Sequence, residues 1–174
     1  EMIVQFAQMG SAYAQVTLGV EQPRVGLLSN GEEETKGSEL ALSFHAALAQ
    51  ADCGFVGNAE GTDILLGDFD VIVTDGFTGN VALKTLEGTA KYILLALKQA
   101  ISQSARGKAG ALLLKPALTE LKGGLSGDEY GGAILLGLKA PVLIGHGATS
   151  VQAVAAGTAA CASAVRSGLV DKVA

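Results

Sequence analysis

The sequence predicts an α/β domain, a mostly parallel sheet with helices on both faces, and three observations carry that expectation. Short apolar, β-branched runs alternate with helix-length amphipathic stretches. Three strand-like runs end in Gly-rich polar turns that open the next helix, at residues 29–37, 75–80 and 145–150. The composition suits tight strand-to-helix turns: 24 glycines in 174 residues, 5% aromatics and no Trp, with 49% hydrophobic residues to build a core.

Residues 1–19 place Ile3, Phe6, Ala7, Tyr13, Ala14 and Leu18 on a broad helical face, and Gly19 is the stop. No capping residue stands at its start, so the helix is expected to be entered from a preceding segment, removal of a tag being the alternative. Pro23 opens an extended run. Residues 25–28 are a short apolar strand feeding the turn Ser29-Asn30-Gly31. Beyond the acidic stretch 32–37, residues 38–51 read as a helix with Ser38 as its cap. A second short strand covers 54–57 and leads through a half-polar turn at Asp63. Residues 70–74 (DVIVT) are a β-branched strand running into Asp75-Gly76-Phe77-Thr78-Gly79-Asn80. From 81 to about 104 the period is helical, with Leu83, Leu86, Ala90, Ile93, Leu94 and Leu97 on one side, and 107–125 form a second helical stretch containing Pro116. Residues 134–138 and 141–144 are two short strands joined by a tight turn, and an Ala-rich helix then runs to about 167. No repeat or low-complexity linker interrupts residues 1–174, which read as one α/β unit.

The net charge of −5 disfavours a general nucleic-acid binder. It is unevenly distributed. Residues 21–75 hold eleven acids and two bases, a local charge of −9; residues 84–122 hold seven bases and two acids, a local charge of +5. The most apolar runs, 92–97 and 109–114, are far short of the ~18 residues a membrane span needs. There is no signal-peptide pattern. Cys53 and Cys161 make neither a disulfide framework nor a metal set, so a reducing cytoplasm is the expected compartment. His45 and His146 lack the spacing of zinc ligands. Neither a Walker A run nor a GxGxxG fingerprint is present, and no cofactor or metal is expected.

Ligands of open α/β sheets collect at the carboxyl ends of strands, where helix N-termini present free N–H groups and partial positive charge to anions. Lys36, between Glu32–Glu34 and Gly37, reads either as a solvated counter-charge or as a phosphate or oxyanion ligand steadied by its carboxylates. Asn80 is either a plain helix cap or a cap whose amide also touches substrate. His146, between two glycines, is either a general base or a turn residue. His45, in mid-helix, reads as structural. Ser29, Ser38 and Ser150 lack a GxSxG setting, which argues against a serine nucleophile.

Several runs then match one family. RVGLLSNGEEETKGSEL at 24–40 resembles the GEE-x-x-KG-x-EL signature of the PlsX family of phosphate acyltransferases. FVGNAEG at 55–61 is similar to its F-x-GN-x-EG element, and VTDGFTGNVALKTLEG at 73–88 to its DGF-x-GN-x-x-LK-x-x-EG element. Glu129-Tyr130-Gly131-Gly132-Ala133 and Gly145-His146-Gly147 resemble its EYGGA and HG turns. The matches keep the family's order over nearly the whole chain. The family's chain is about twice as long, and its early DAMGGD-type loop has no counterpart here, so the resemblance implies a C-terminal half.

That resemblance implies transfer of a long-chain acyl group from acyl carrier protein to inorganic phosphate, giving an acyl phosphate for phospholipid synthesis. It implies a fold like that of isopropylmalate dehydrogenase and phosphate acetyltransferase, and a homodimer. Phosphate would attack the thioester directly, without an enzyme nucleophile. Lys36, Asn80 and His146 are then the expected catalytic residues. Lys36 would hold phosphate or the oxyanion, Asn80 with the N–H groups of 76–80 would bind the same charge, and His146 would orient. Asn30, Gly31, Glu32, Gly37, Asn58, Glu60, Asp75, Gly76, Phe77, Gly79 and Lys84 would line the phosphate and substrate site, although Glu87 could instead simply pair with Lys84. Lys84, Lys91 and Lys98 recur every seven residues and would meet the acidic carrier protein. The Leu- and Lys-bearing stretch 107–125 would rest peripherally on the inner, anionic face of a membrane, the alternative being ordinary packing on its own core or a dimer mate. A phosphate acetyltransferase-like enzyme using coenzyme A and an inactive half that only dimerises or docks are the rival readings.

Overall fold

The computed structural model describes residues 2–66, 68–126, 131–145 and 150–173. They form two compact units, one built from Glu1–Asn80, Ile134–Val142 and Cys161–Ala174, the other from Val81–Ala133 and Leu143–Ala160.

The first unit holds a three-stranded parallel sheet of β1 (Val25–Leu28), β2 (Phe55–Ala59) and β3 (Val71–Val73) in the order β2-β1-β3. The central strand is flanked on both sides, with Leu27 opposite Asn58 on β2 and Val73 on β3. Parallel neighbours need a crossover, and α2 (Glu39–Leu48) supplies it between β1 and β2. Its start is set by Ser38, whose Oγ accepts from Ala41 N at 3.2 Å, the cap the sequence predicts.

Alternation along β1 puts Val25 and Leu27 on one face, where they are buried with Ile3 and Ala7 of α1 (Met2–Tyr13), Leu48 of α2, Cys53 and Val73. Helix α1 lies close over β3: a Cβ at Gly10 would stand 2.7 Å from Val71 Cγ1. Its continuation, Ala14–Leu18, widens into a π-type turn and stops at Gly19 (φ 71°), whose N–H caps Ala14 O. On the other face Gly26 makes room for the Phe69 ring, which a Cβ there would approach to 2.6 Å. The Arg24 guanidinium lies 5.9 Å from the same ring centre, and Arg24 N donates to Asp70 Oδ2 at 2.8 Å. Two short helices complete this unit, α3 (Asp63–Leu66) and, against α1, α7 (Leu169–Val173), anchored by the buried Leu169.

After β3 the chain runs into α4 (Gly76–Ser102), α5 (Ala105–Ser126), β4 (Ala133–Leu135), β5 (Val142–Ile144) and α6 (Val151–Arg166), with β4 and β5 paired. Helix α4 begins five residues before the expected 81. Asp75 is its cap, so Asn80 lies inside the second turn, and Asn80 is not a helix cap. Strand β4 ends at Leu135 rather than 138, since Gly137 turns the chain at φ 81°. The Ala-rich helix closes at Arg166, in keeping with the expected end near 167, and α7 is a further short helix beyond Gly168 (φ 68°). No residue of α4 is buried, and α5 leaves Leu112 and Leu113 exposed at 74% and 83%. Among the described residues no helix is long and apolar enough to cross a membrane.

Candidate functional site

The carboxyl ends of β1 and β3 open onto a cleft of about 430 Å³. Ser29 and Asn30 enter it from β1, Gly37, Ser38, Ala41 and Phe44 from the start of α2, and Thr74, Asp75 and Thr78 from the turn after β3. Parallel strands bring these segments together because each strand delivers its following loop to the same edge. Of the residues expected to bind phosphate and substrate, Asn30, Gly37 and Asp75 line the cleft. Lys36 stands beside it, exposed, one residue before Gly37.

The β1–α2 loop turns at Gly37, with φ 115°; a Cβ there would meet Ala41 Cβ at 2.7 Å and Ser29 Oγ at 3.1 Å. Behind this glycine, Ser29 Oγ is buried without a hydrogen-bond partner. Ser29 lines the cleft, and among the described residues its buried hydroxyl leaves its bonding capacity unused. Ser38 Oγ accepts from Ala41 N and keeps its own proton for donation.

The β3–α4 turn is built differently from expectation. Asp75 Oδ1 accepts from Phe77 N and Thr78 N, both at 2.9 Å, and Oδ2 accepts from Thr78 Oγ1 at 2.5 Å. The Thr78 hydroxyl foremost, then the Thr78 and Phe77 N–H groups, hold this carboxyl below the usual Asp range. Two of the amides in 76–80 expected to face an anion are therefore satisfied within the protein, and Gly79 N is bonded to Asp75 O. Asp75 thus anchors the turn, and as a carboxylate it would repel a bound phosphate rather than ligate it. Gly76 and Phe77 are exposed on the first turn of α4, and a Cβ at Gly79 would meet Thr74 Cγ2 at 2.7 Å.

Asn58, expected to line the pocket, is instead 5% exposed and links segments. Its Nδ2 donates to Glu33 O at 2.8 Å and its Oδ1 lies 3.0 Å from His45 Nδ1. Glu60 N donates to Asp63 Oδ2 at 2.7 Å. Gly31 is buried under the Lys36 side chain, and Glu32 is exposed. The Lys84 ammonium lies 2.8 Å from Glu87 Oε2, so the simple pairing weighed against a ligand role is present. Among the described residues ion pairs join Arg24 to Asp68 and Lys84 to Glu87; the carboxylates near Lys36 make none with it. His146, Glu129 and Tyr130 lie outside the described residues.

Ser29, Ser38, Thr74, Thr78 and Phe44 are among the cleft residues that sequence reasoning did not assign to the site. A readable signal existed for Thr78: an Asp at a strand end followed three residues later by a side chain that can answer it is a capping pattern. Nothing in the sequence marks Ser29 as unpartnered. Burial raises the Cys53 thiol above its ordinary range, which removes it as a nucleophile. Among the described residues no group of three or more His, Cys, Asp or Glu is placed to hold a metal.

A family model described as "Fatty acid synthesis protein" matches residues 1–172. A phosphate acyltransferase of Enterococcus faecalis is 53% identical over 156 residues, covering 88% of this chain and 47% of its own length. Those of Campylobacter lari and Bacillus licheniformis are 53% and 51% identical over 154 residues, covering 88% of this chain and 46% and 47% of theirs. The chain spans about half the length of these relatives.

Proposed function

The chain belongs to the fatty acid synthesis protein (PlsX) family, and on that premise we propose that it supplies the phosphate-holding wall of an acyltransferase that moves a long-chain acyl group from acyl carrier protein to inorganic phosphate. The observation that carries this reading is the cleft where the β1–α2 loop and the β3–α4 turn meet. It is lined by Ser38, whose hydroxyl can donate, and by Ser29, whose unpartnered hydroxyl lies behind Gly37, with Lys36 next in the chain to Gly37.

In this reaction a phosphate oxygen attacks the thioester carbonyl, a C–O bond forms, and the C–S bond breaks as the tetrahedral oxyanion collapses and the thiolate leaves. No covalent enzyme intermediate is required. The protein contributes by holding phosphate against the carbonyl and by answering negative charge as it develops. Lys36 supplies the cation, and Ser29 and Ser38 supply donors that do not titrate. Asp75 acts at one remove, holding the turn that forms the opposite lip. The exposed lysines 91 and 98 of α4 form the docking face for the acidic carrier protein. The exposed leucines of α5 with Lys108 and Lys115 are the segment that meets an anionic membrane or a second protomer.

The test is a labelled-phosphate assay on the complete protein with acyl carrier protein and coenzyme A thioesters side by side. Lys36→Ala should slow both donors at least about tenfold, about 1.4 kcal/mol in barrier, with an unchanged melting curve. Reversal of Lys91 and Lys98 to Glu should impair the carrier-protein donor selectively. Near-native turnover by a folded Lys36→Ala removes Lys36 from the mechanism. Equal losses with both donors remove α4 as the docking face, and a preference for short coenzyme A thioesters supports the acetyltransferase reading instead.

A further inference from the structure

Lys36 sits in a loop whose neighbours Glu32, Glu33 and Glu34 repel one another, and no carboxylate pairs with its ammonium among the described residues. Something other than an ion pair must set the loop's position. Three hydrogen bonds connect it to the interior of α2. Lys36 N donates to Glu33 O at 3.0 Å, closing the turn. The same carbonyl accepts from Asn58 Nδ2 at 2.8 Å. Asn58 Oδ1 in turn lies 3.0 Å from His45 Nδ1. Since the amide nitrogen is committed to Glu33, the oxygen faces the imidazole and can only accept, which assigns the proton to Nδ1. Asn58 is buried, so water is no ready substitute for either partner. Phe55 meets the imidazole edge-on, with ring centres 5.1 Å apart and planes at 82°, which restricts its rotation.

We propose that His45 is a positioning residue for the phosphate site: through Asn58 it fixes the Glu33 carbonyl and so the turn that presents Lys36. The proposal rests on the reading of Lys36 as a phosphate ligand. A helix-borne imidazole packed on a strand residue is a rigid reference, and the brace transmits that rigidity to an exposed, self-repelling loop. A loop set loosely would still bind phosphate, but with the ammonium spread over several positions.

The test uses the complete protein with inorganic phosphate as the varied substrate. His45→Leu, which keeps bulk and loses the donor, should raise the phosphate KM about fivefold to tenfold while the acyl-donor KM stays within about twofold. His45→Asn, whose amide N–H stands near the position of Nδ1–H, should recover most of the loss. Hydrogen exchange should quicken at amides 31–37 in His45→Leu and stay unchanged in β1 and β3. An unchanged phosphate KM and unchanged loop exchange in His45→Leu, with Lys36→Ala still impaired, overturns the brace. A silent Lys36→Ala overturns the parent reading instead, and loop exchange alone then decides the brace. If His45→Leu does not fold, His45→Gln moves the donor away from Asn58 and must show the same loop-specific loosening; wild-type behaviour in that variant overturns the proposal.

Discussion

One carboxylate determines where the longest helix of this chain begins. Asp75 engages both oxygens, with Phe77 N, Thr78 N and the Thr78 hydroxyl, and so fills two of the four backbone donors a helix start leaves open. Asp75→Ala should cost about 1 kcal/mol, a fall of roughly 2–4 °C in Tm for a chain of this size. The acid dependence follows from the depressed pKa. The carboxyl titrates near pH 3.9 in the unfolded chain and lower in the folded one. Its contribution is therefore complete above about pH 4 and is lost as the pH falls through the folded value. The Tm gap between wild type and Asp75→Asn should be flat from pH 5 to 7 and narrow as the pH falls below about 4. A gap that persists in acid means the ionised carboxylate is not the cap. Asn30 and Gly37, which line the cleft, stood out in the sequence because they belong to the loop that follows a strand, where the parallel fold collects its loops. Asn58 was legible as important, but its role was not. Its partners His45 and Glu33 lie 13 and 25 residues away, a separation no local pattern encodes.

Elements were legible wherever periodicity ran uninterrupted, and their ends were misplaced where a single cap decides. The strands at 25–28 and 70–74 and the helix capped by Ser38 follow from local pattern. The true start of α4 depends on a side chain outside the apolar period, and the end of β4 on the backbone angle of Gly137. Packing density between elements was not legible at all, and two glycines in helices show the consequence. Gly10 in α1 passes within a methyl's width of β3, and a Cβ would stand 2.7 Å from Val71 Cγ1. Alanine there gains up to about 1 kcal/mol in helix propensity, but overpacking against a β-branched strand residue costs about 1–3 kcal/mol. Gly10→Ala should therefore destabilise on balance. Gly88 in α4 is exposed, with nothing within 4 Å of an added Cβ. Gly88→Ala should stabilise by about 0.5–1 kcal/mol. Urea melts of the two variants should shift in opposite directions, and a shared sign would defeat the packing argument.

At the scale of the molecule, charge and cleft pull against each other. Residues 21–75 contain all three strand ends of the parallel sheet, and their eleven acids outnumber two bases. A phosphate entering this edge meets hydroxyls and Lys36, but also a net negative field. Of the two bases, Arg24 is engaged with Phe69 and Asp68, which leaves Lys36 as the cation by the cleft. One lysine is a thin counterweight, and the relatives carry as much chain again beyond the matched half. If the cleft works as proposed, further basic groups must reach it from a second wall. Residues 1–174 alone should then keep their secondary structure by circular dichroism and yet form no measurable acyl phosphate, because a cleft reaction needs groups from both walls. Salt separates the two states by sign. Screening should strengthen phosphate binding to residues 1–174, where repulsion dominates, and weaken it in the complete protein, where attraction does. Calorimetric titration of phosphate from low to physiological ionic strength reads both slopes. Slopes of the same sign, or robust turnover by the 174-residue chain, would place the whole site on this half and end the two-wall argument.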